Sequence, residues 1–170
     1  MERWLILKIQ SVLFHNPAAR EIAVGMARWG FWAYILYGLV QWFRPGNLPQ
    51  QIRRRQSMTE ALFSVGISSF FSFLISLIWR RQRPFAAHGS VRQAVIHKNN
   101  ASFPSNHTMN AAAAALTVFR YQKRSGTVLL IWSILIGASR IACGVHYVTD
   151  ILGGMILGYM SSRIAGRSRL

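Results

Sequence analysis

The chain has 170 residues, 52% of them hydrophobic, with 20 Lys+Arg against 4 Asp+Glu and a formal net charge of +16. Such a charge calls for a polyanionic partner, which could be nucleic acid, an anionic membrane surface or a phosphorylated substrate, and the long apolar runs argue against a soluble nucleic-acid binder. The single cysteine, Cys143, excludes an intramolecular disulfide and a cysteine-rich zinc site.

Crossing a bilayer core takes roughly 20 apolar helical residues. The first apolar stretch, Trp4 to Phe14, is interrupted by Lys8 and Gln10 and reads as an interfacial helix. Lys8 and the lack of a small-residue cleavage site argue against a cleaved leader. Ile22 to Phe43 reads as a span despite Arg28, and Ala61 to Trp79 as an uncharged second one. Met109 to Phe119 is Ala-rich and reaches spanning length only if its helix begins near Ser105. Thr127 to Ala142 and the short Ile151 to Ile164 complete the set. The expected fold is all-α: an integral-membrane helical bundle of about five transmembrane helices plus an N-terminal interfacial helix, forming one domain over residues 1–170.

Alternating spans put 44–57, 121–126 and the tail after Ser162 on one side, rich in Arg and Lys as a cytoplasmic face is. The other side carries 80–101 and 144–149, with Arg80, Arg81, Arg83, Arg92 and Lys98. Ionisable residues at membrane helix ends are costly, and those that persist mark function. Three clusters fit and share that second side: Arg80-Arg81-Gln82-Arg83-Pro84, Pro104-Ser105-Asn106-His107, and Ser139-Arg140 through His146 to Asp150.

Asp150, the only aspartate, follows His146 by four residues, a spacing that brings a carboxylate to imidazole Nδ1 and makes Nε2 the better nucleophile. Alone, the pair reads first as a structural ion pair or a cap. His107 follows Ser105, a candidate N-cap, so the first helical turn offers backbone donors to phosphate and His107 can protonate a leaving oxygen. A capped helix with an interfacial histidine is the plainer alternative. Arg83 and Arg140 present the planar fork that suits phosphoryl oxygens, and Pro84 is expected to end the second span with Arg83 at its mouth. Arg80, Arg81 and Arg92 read by default as anchors to lipid headgroups.

Together the three clusters resemble the signature of the type 2 phosphatidic acid phosphatase superfamily, K-x-x-x-x-x-x-R-P, P-S-G-H and S-R-x-x-x-x-x-H-x-x-x-D. They match in order, through Arg83-Pro84, Pro104 to His107, and Ser139, Arg140, His146 and Asp150. The resemblance implies His146 as a nucleophile forming a phosphohistidine, Asp150 as its orienting partner, and His107 as the acid for the leaving group. It further implies a phosphate held by Arg83, Arg140, Ser105, the backbone at Asn106, and Ser139, with no cofactor and no metal.

The chain departs from the signature twice. Ser76 stands where the family has lysine, which makes Arg80, three residues before Arg83 on an assumed helical face, the candidate replacement. Asn106 replaces glycine. Size and topology are similar to bacterial undecaprenyl-diphosphate phosphatases of the bacitracin-resistance type, implying a lipid phosphate or diphosphate substrate, membrane lipids as surroundings, no nucleic acid, and a bacterial cytoplasmic membrane with the site outside. Phosphatidylglycerophosphate, phosphatidic acid and lipid A are alternative substrates, and a non-enzymatic protein binding anionic lipid is the alternative of another class. The oligomeric state stays open.

Overall fold

The computed structural model describes residues 2–167, and among these the backbone forms helices and no strand. They are α1 (Glu2–His15), α2 (Pro17–Trp29), α3 (Trp32–Phe43), α4 (Leu48–Ile78), α5 (Pro84–Ala87), α6 (Asn106–Tyr121), α7 (Lys123–Ala142) and α8 (Val148–Arg167). Helices α4 and α7 are each long and apolar enough to cross a membrane. With α6, α8 and the α2–α3 pair they make up the helical membrane bundle, and α1 lies against α2 and α7.

Asn16 caps α2 by accepting from the Ala19 backbone N at 3.1 Å, with Pro17 in the first turn. Asn47 caps α4 in the same way through the Gln50 N at 3.1 Å. That second cap corrects the expectation of a polar loop over 44–57. The stretch holding Arg53, Arg54 and Arg55 is helical, and α4 with 31 residues runs about 46 Å at 1.5 Å per residue. At its other end α4 stops at Ile78, and Pro84 opens α5 rather than closing the span. Residues 79–83 between them are non-helical.

The expected span Ile22 to Phe43 is broken at 30–31. The last carbonyls of a helix lack partners within it, and here α7 supplies them. Trp132 Nε1 donates to Gly30 O at 2.8 Å and Arg140 Nη1 to Ala27 O at 3.0 Å. A feature absent from the hydropathy pattern thereby fixes one of the signature arginines.

Helix α6 sits at the centre, packed by α4, α7 and α8. Its run Ala111 to Ala115 is buried throughout, small side chains letting neighbouring backbones come close. On α8, a Cβ added at Gly158 would lie 2.5 Å from Met109 O, and one at Gly154 3.0 Å from Ser105 O. This approach brings the N-termini of α6 and α8 together, and the Ser105 N donates to the Asp150 O at 3.2 Å.

Candidate active site

The three clusters converge where α4 ends, α6 and α8 begin, and α7 ends. His107 and His146, 39 positions apart in the chain, line one cavity of about 320 Å³ together with Arg83, Asn106, Ser76 and His97. His146 lies in the turn between α7 and α8, only 2% exposed. That turn depends on Gly144 at φ +73°, where a Cβ would sit 2.5 Å from Arg92 O.

Arg83 Nη1 lies 3.1 Å from His146 Nε2. A guanidinium can only donate, so Nε2 is the accepting nitrogen, and the imidazole hydrogen belongs on Nδ1. Nδ1 faces Asp150 Oδ2 at 3.5 Å, long for a hydrogen bond but within ion-pair range. Burial, with the charges of Arg83 and Arg140, holds His146 down to about 4 against the upward pull of Asp150, so the ring is neutral near pH 7. The same desolvation, with Arg140 nearby, lowers Arg83 to about 10, where it is still charged.

Asp150 is itself fully buried. Its Oδ2 accepts from the Tyr147 N at 2.9 Å and its Oδ1 from Arg81 Nη1 at 2.8 Å. Arg81 also reaches Glu2 Oε2 of α1 at 2.7 Å, and Glu2 Oε1 accepts from the Thr149 N at 2.9 Å. The N-terminal helix thus clamps the end of the bundle where the three clusters meet. Gln10 of α1 adds to this by donating to Arg92 O at 2.7 Å and accepting from the Arg92 N at 3.0 Å.

Arg83 is braced on Val145 O at 2.9 Å, Ala101 O at 3.0 Å and Asn100 Oδ1 at 2.9 Å. Arg140 is 3% exposed, and its Nε and Nη2 find no hydrogen-bond partner among the described residues. The remaining expected phosphate contacts are placed less directly. Ser105 is the N-cap residue of α6, but its Oγ pairs with Thr108 Oγ1 at 3.1 Å rather than capping the backbone. Ser139 Oγ donates back to Ile136 O at 2.7 Å.

Arg80 is exposed, its Nε facing Leu77 O at 3.4 Å, and it does not line the cavity. It is Arg81 that meets Asp150, because the chain leaves the helix at Ile78 and the face shared by 80 and 83 no longer exists. His97 and Asn100, on the loop between α5 and α6, belong to the cavity wall and carried no signal in the sequence. A polar clasp closes the side toward α4: Ser68 Oγ donates to Asn110 Oδ1 at 2.5 Å, and Asn110 Nδ2 donates to Ser69 Oγ at 2.9 Å.

At this end of the bundle the buried His146 imidazole accepts from Arg83 on Nε2, has a carboxylate beyond Nδ1 and shares a cavity with His107 and His97, while buried Arg140 stands outside the cavity lining. The chain belongs to the PAP2 superfamily, whose match spans residues 57–168, and is a membrane lipid phosphatase. Among its relatives, the undecaprenyl-diphosphatase BcrC of Bacillus subtilis (strain 168) is 33% identical over 152 residues, covering 88% of this chain and 74% of that protein. The decaprenylphosphoryl-5-phosphoribose phosphatase of Mycobacterium tuberculosis (strain ATCC 25618 / H37Rv) is 30% identical over 159 residues, covering 91% and 82%. The crystal structure of Aquifex aeolicus LpxE shares the fold with a TM-score of 0.78, over 96% of this chain and 93% of that one, at 19% identity.

Proposed function

We propose that the chain hydrolyses undecaprenyl diphosphate to undecaprenyl phosphate and inorganic phosphate through a phosphohistidine on His146, without a metal ion. The observation that carries this reading is the cavity in which Nε2 of His146 meets Arg83 at 3.1 Å, with Asp150 behind Nδ1 and His107 on the same wall. The Nε2 lone pair attacks the terminal phosphorus, and the bond to the bridging oxygen breaks as His107 gives that oxygen a proton. Water then attacks the phosphorus as His107 takes up one of its protons, the P–N bond breaks with its electron pair returning to Nε2, and His146 is left with its hydrogen on Nδ1 toward Asp150. Arg83 and the unpartnered N–H groups of Arg140 stabilise charge on the phosphoryl oxygens.

The diphosphate of a long isoprenoid is favoured because BcrC and the decaprenyl-linked phosphatase are named for phosphates on polyprenyl carriers. The α4 face agrees with a long tail. Met58, Leu62 and Val65 line an apolar cleft of about 550 Å³, and Ser69, Ser72 and Ser76, continuing that stripe at sevenfold spacings, line the cavity. Of the described acids, Glu2, Glu60 and Asp150 are each held by an arginine, which leaves no carboxylate cluster for a divalent cation. The reading places the site at the outer face of a bacterial cytoplasmic membrane, opposite the arginine-rich start of α4.

The test is phosphate release by purified protein in EDTA, comparing undecaprenyl diphosphate with phosphatidylglycerophosphate. Turnover of the first with little of the second, unaffected by EDTA and lost in His146→Ala, is expected. A requirement for added metal, or a preference for the glycerophosphate, would overturn the mechanism or the substrate respectively.

A further inference from the structure

One wall of the cavity comes from outside the three signature clusters. His97, on the loop between α5 and α6, presents its ring to that of His146 with centroids 6.2 Å apart and planes at 82°. Its Nδ1 faces Lys98 O at 3.1 Å, so Nδ1 carries the hydrogen and the Nε2 lone pair remains available. The loop is fixed from several sides. The Ala94 N donates to Cys143 O at 3.1 Å, the Ser102 N to Arg81 O at 2.8 Å, and Arg83 grips Asn100. The two rings meet edge to face, and both line the cavity of about 320 Å³ that Arg83 and His107 share.

We propose that His97 is a further phosphate-binding residue, one that takes up a proton as phosphate enters and donates Nε2–H to a phosphoryl oxygen lying between its ring and that of His146. This rests on the phosphohistidine reading above.

The charges that face His97 are Arg83 from the segment before α5, Arg140 from α7, and the imidazoles of His107 on α6 and His146 in the α7–α8 turn; α4 contributes only serines and Phe73. Burial, then Arg83 and Arg140, holds His97 down to about 4 in the free protein, so it is neutral near pH 7. A phosphate beside it reverses the local field, and an opposite charge at hydrogen-bond range favours the protonated ring. The proton comes from solvent on binding and returns on release. Since the bound state holds one more proton, phosphate affinity falls as pH rises above about 4, by up to about tenfold per unit.

The probe is inorganic phosphate as a competitive inhibitor of undecaprenyl diphosphate turnover between pH 5 and 8. His97→Asn retains an amide donor where Nδ1–H meets the Lys98 carbonyl but lacks Nε2, so the inhibition constant should rise roughly 10- to 100-fold, the range for one charge-assisted hydrogen bond. His97→Gln places an amide donor near Nε2 without an ionisable group, so it should keep much of the affinity and lose the extra pH slope. Ionisation of phosphate itself is common to all three proteins and cancels in the difference. An Asn variant with wild-type inhibition and slope would reduce His97 to a loop anchor and sink the proposal, as would a fall in kcat with inhibition unchanged. If His146→Ala remains active, the phosphohistidine reading falls and takes this one with it; if His146→Ala is dead and His97→Asn is unaltered, only the role of His97 fails.

Discussion

Two arginine–carboxylate clusters stand at opposite ends of the bundle. At the far end, buried Glu60 accepts from Arg120 and from the Tyr121 hydroxyl at 2.7 Å, while Arg120 Nη1 donates to Ser162 O at 2.7 Å and Ser162 Oγ at 2.8 Å. At the end that holds His107 and His146, Asp150 is held by Arg81, yet Arg140 keeps two donor nitrogens without partners among the described residues. A buried donor left unmade costs about 1–3 kcal/mol, a cost that an anion reaching Arg140 would relieve. Cavity size does not mark out the proposed site: the far-end cleft lined by Arg53, Glu60 and Arg120 is about 810 Å³ against about 320 Å³ for the cavity lined by His107 and His146. Unpartnered buried donors occur at both ends, at Arg140 on the one and at Arg54 and Gln122 on the other, so what separates the two ends is the pair of imidazoles that share a cavity with Arg83.

The sharpest way to break this contrast is His146→Ala, expected to lower kcat by at least about 10³-fold, the order found when a covalent nucleophile is removed. Radiolabel retained on wild-type protein after an alkaline quench, and absent from the variant, is the accompanying measurement. Next in size are Arg83→Lys and Arg140→Lys, which keep the charge and lose the planar fork. Each should cost about 10²–10³-fold in kcat, as for one donor to a developing oxyanion. Arg140→Lys at wild-type turnover would show that the unpartnered nitrogens are not waiting for substrate.

Much of the site was legible because its residues sit at helix ends, where a charged side chain in a membrane chain needs a reason. That argument and the spacing single out His107, Arg140, His146 and Asp150; the structure brings His107 and His146 to one cavity with Asp150 3.5 Å from the His146 ring and leaves Arg140 outside the lining, and the start of α6 at Asn106 follows from the same reading. The choice between Arg80 and Arg81 was not legible. It turned on whether the helix continues to Arg83, and α4 ends five residues earlier, after Ile78. Beyond the helix Arg81 meets Asp150 and Arg83 meets His146, while Arg80 stays exposed. The break at 30–31 is not legible because hydropathy is continuous across it, and the carbonyls there are met by Trp132 and Arg140, about a hundred positions away. His97 escaped because a loop histidine has no periodicity to betray it.

Arg81 gives a smaller and more discriminating effect. It acts through Asp150 rather than on phosphate, so Arg81→Ala should reduce kcat by about tenfold, the worth of one charge-assisted hydrogen bond at the low end of its range. Arg80 is exposed and does not line the cavity, so Arg80→Ala should stay within about twofold in the same assay. A larger loss for Arg80 than for Arg81 would restore Arg80 as the substitute for the signature lysine.

The smallest effect on turnover belongs to the far cluster. Glu60→Ala leaves Arg120 half-buried without its carboxylate, and breaking such a pair typically costs about 3–5 kcal/mol of stability. Thermal unfolding in detergent should therefore begin well below that of the wild type, while kcat per folded molecule, measured at a temperature where both remain folded, should match it. The effect runs through the clasp of α4, α6 and α8 at Arg120 and Ser162, and nothing in that clasp touches the phosphate. If Glu60→Ala instead lost turnover with its unfolding temperature intact, the two ends of the bundle would be coupled along the serine stripe of α4, and the division between a closed structural cluster and an open catalytic one would have to be abandoned.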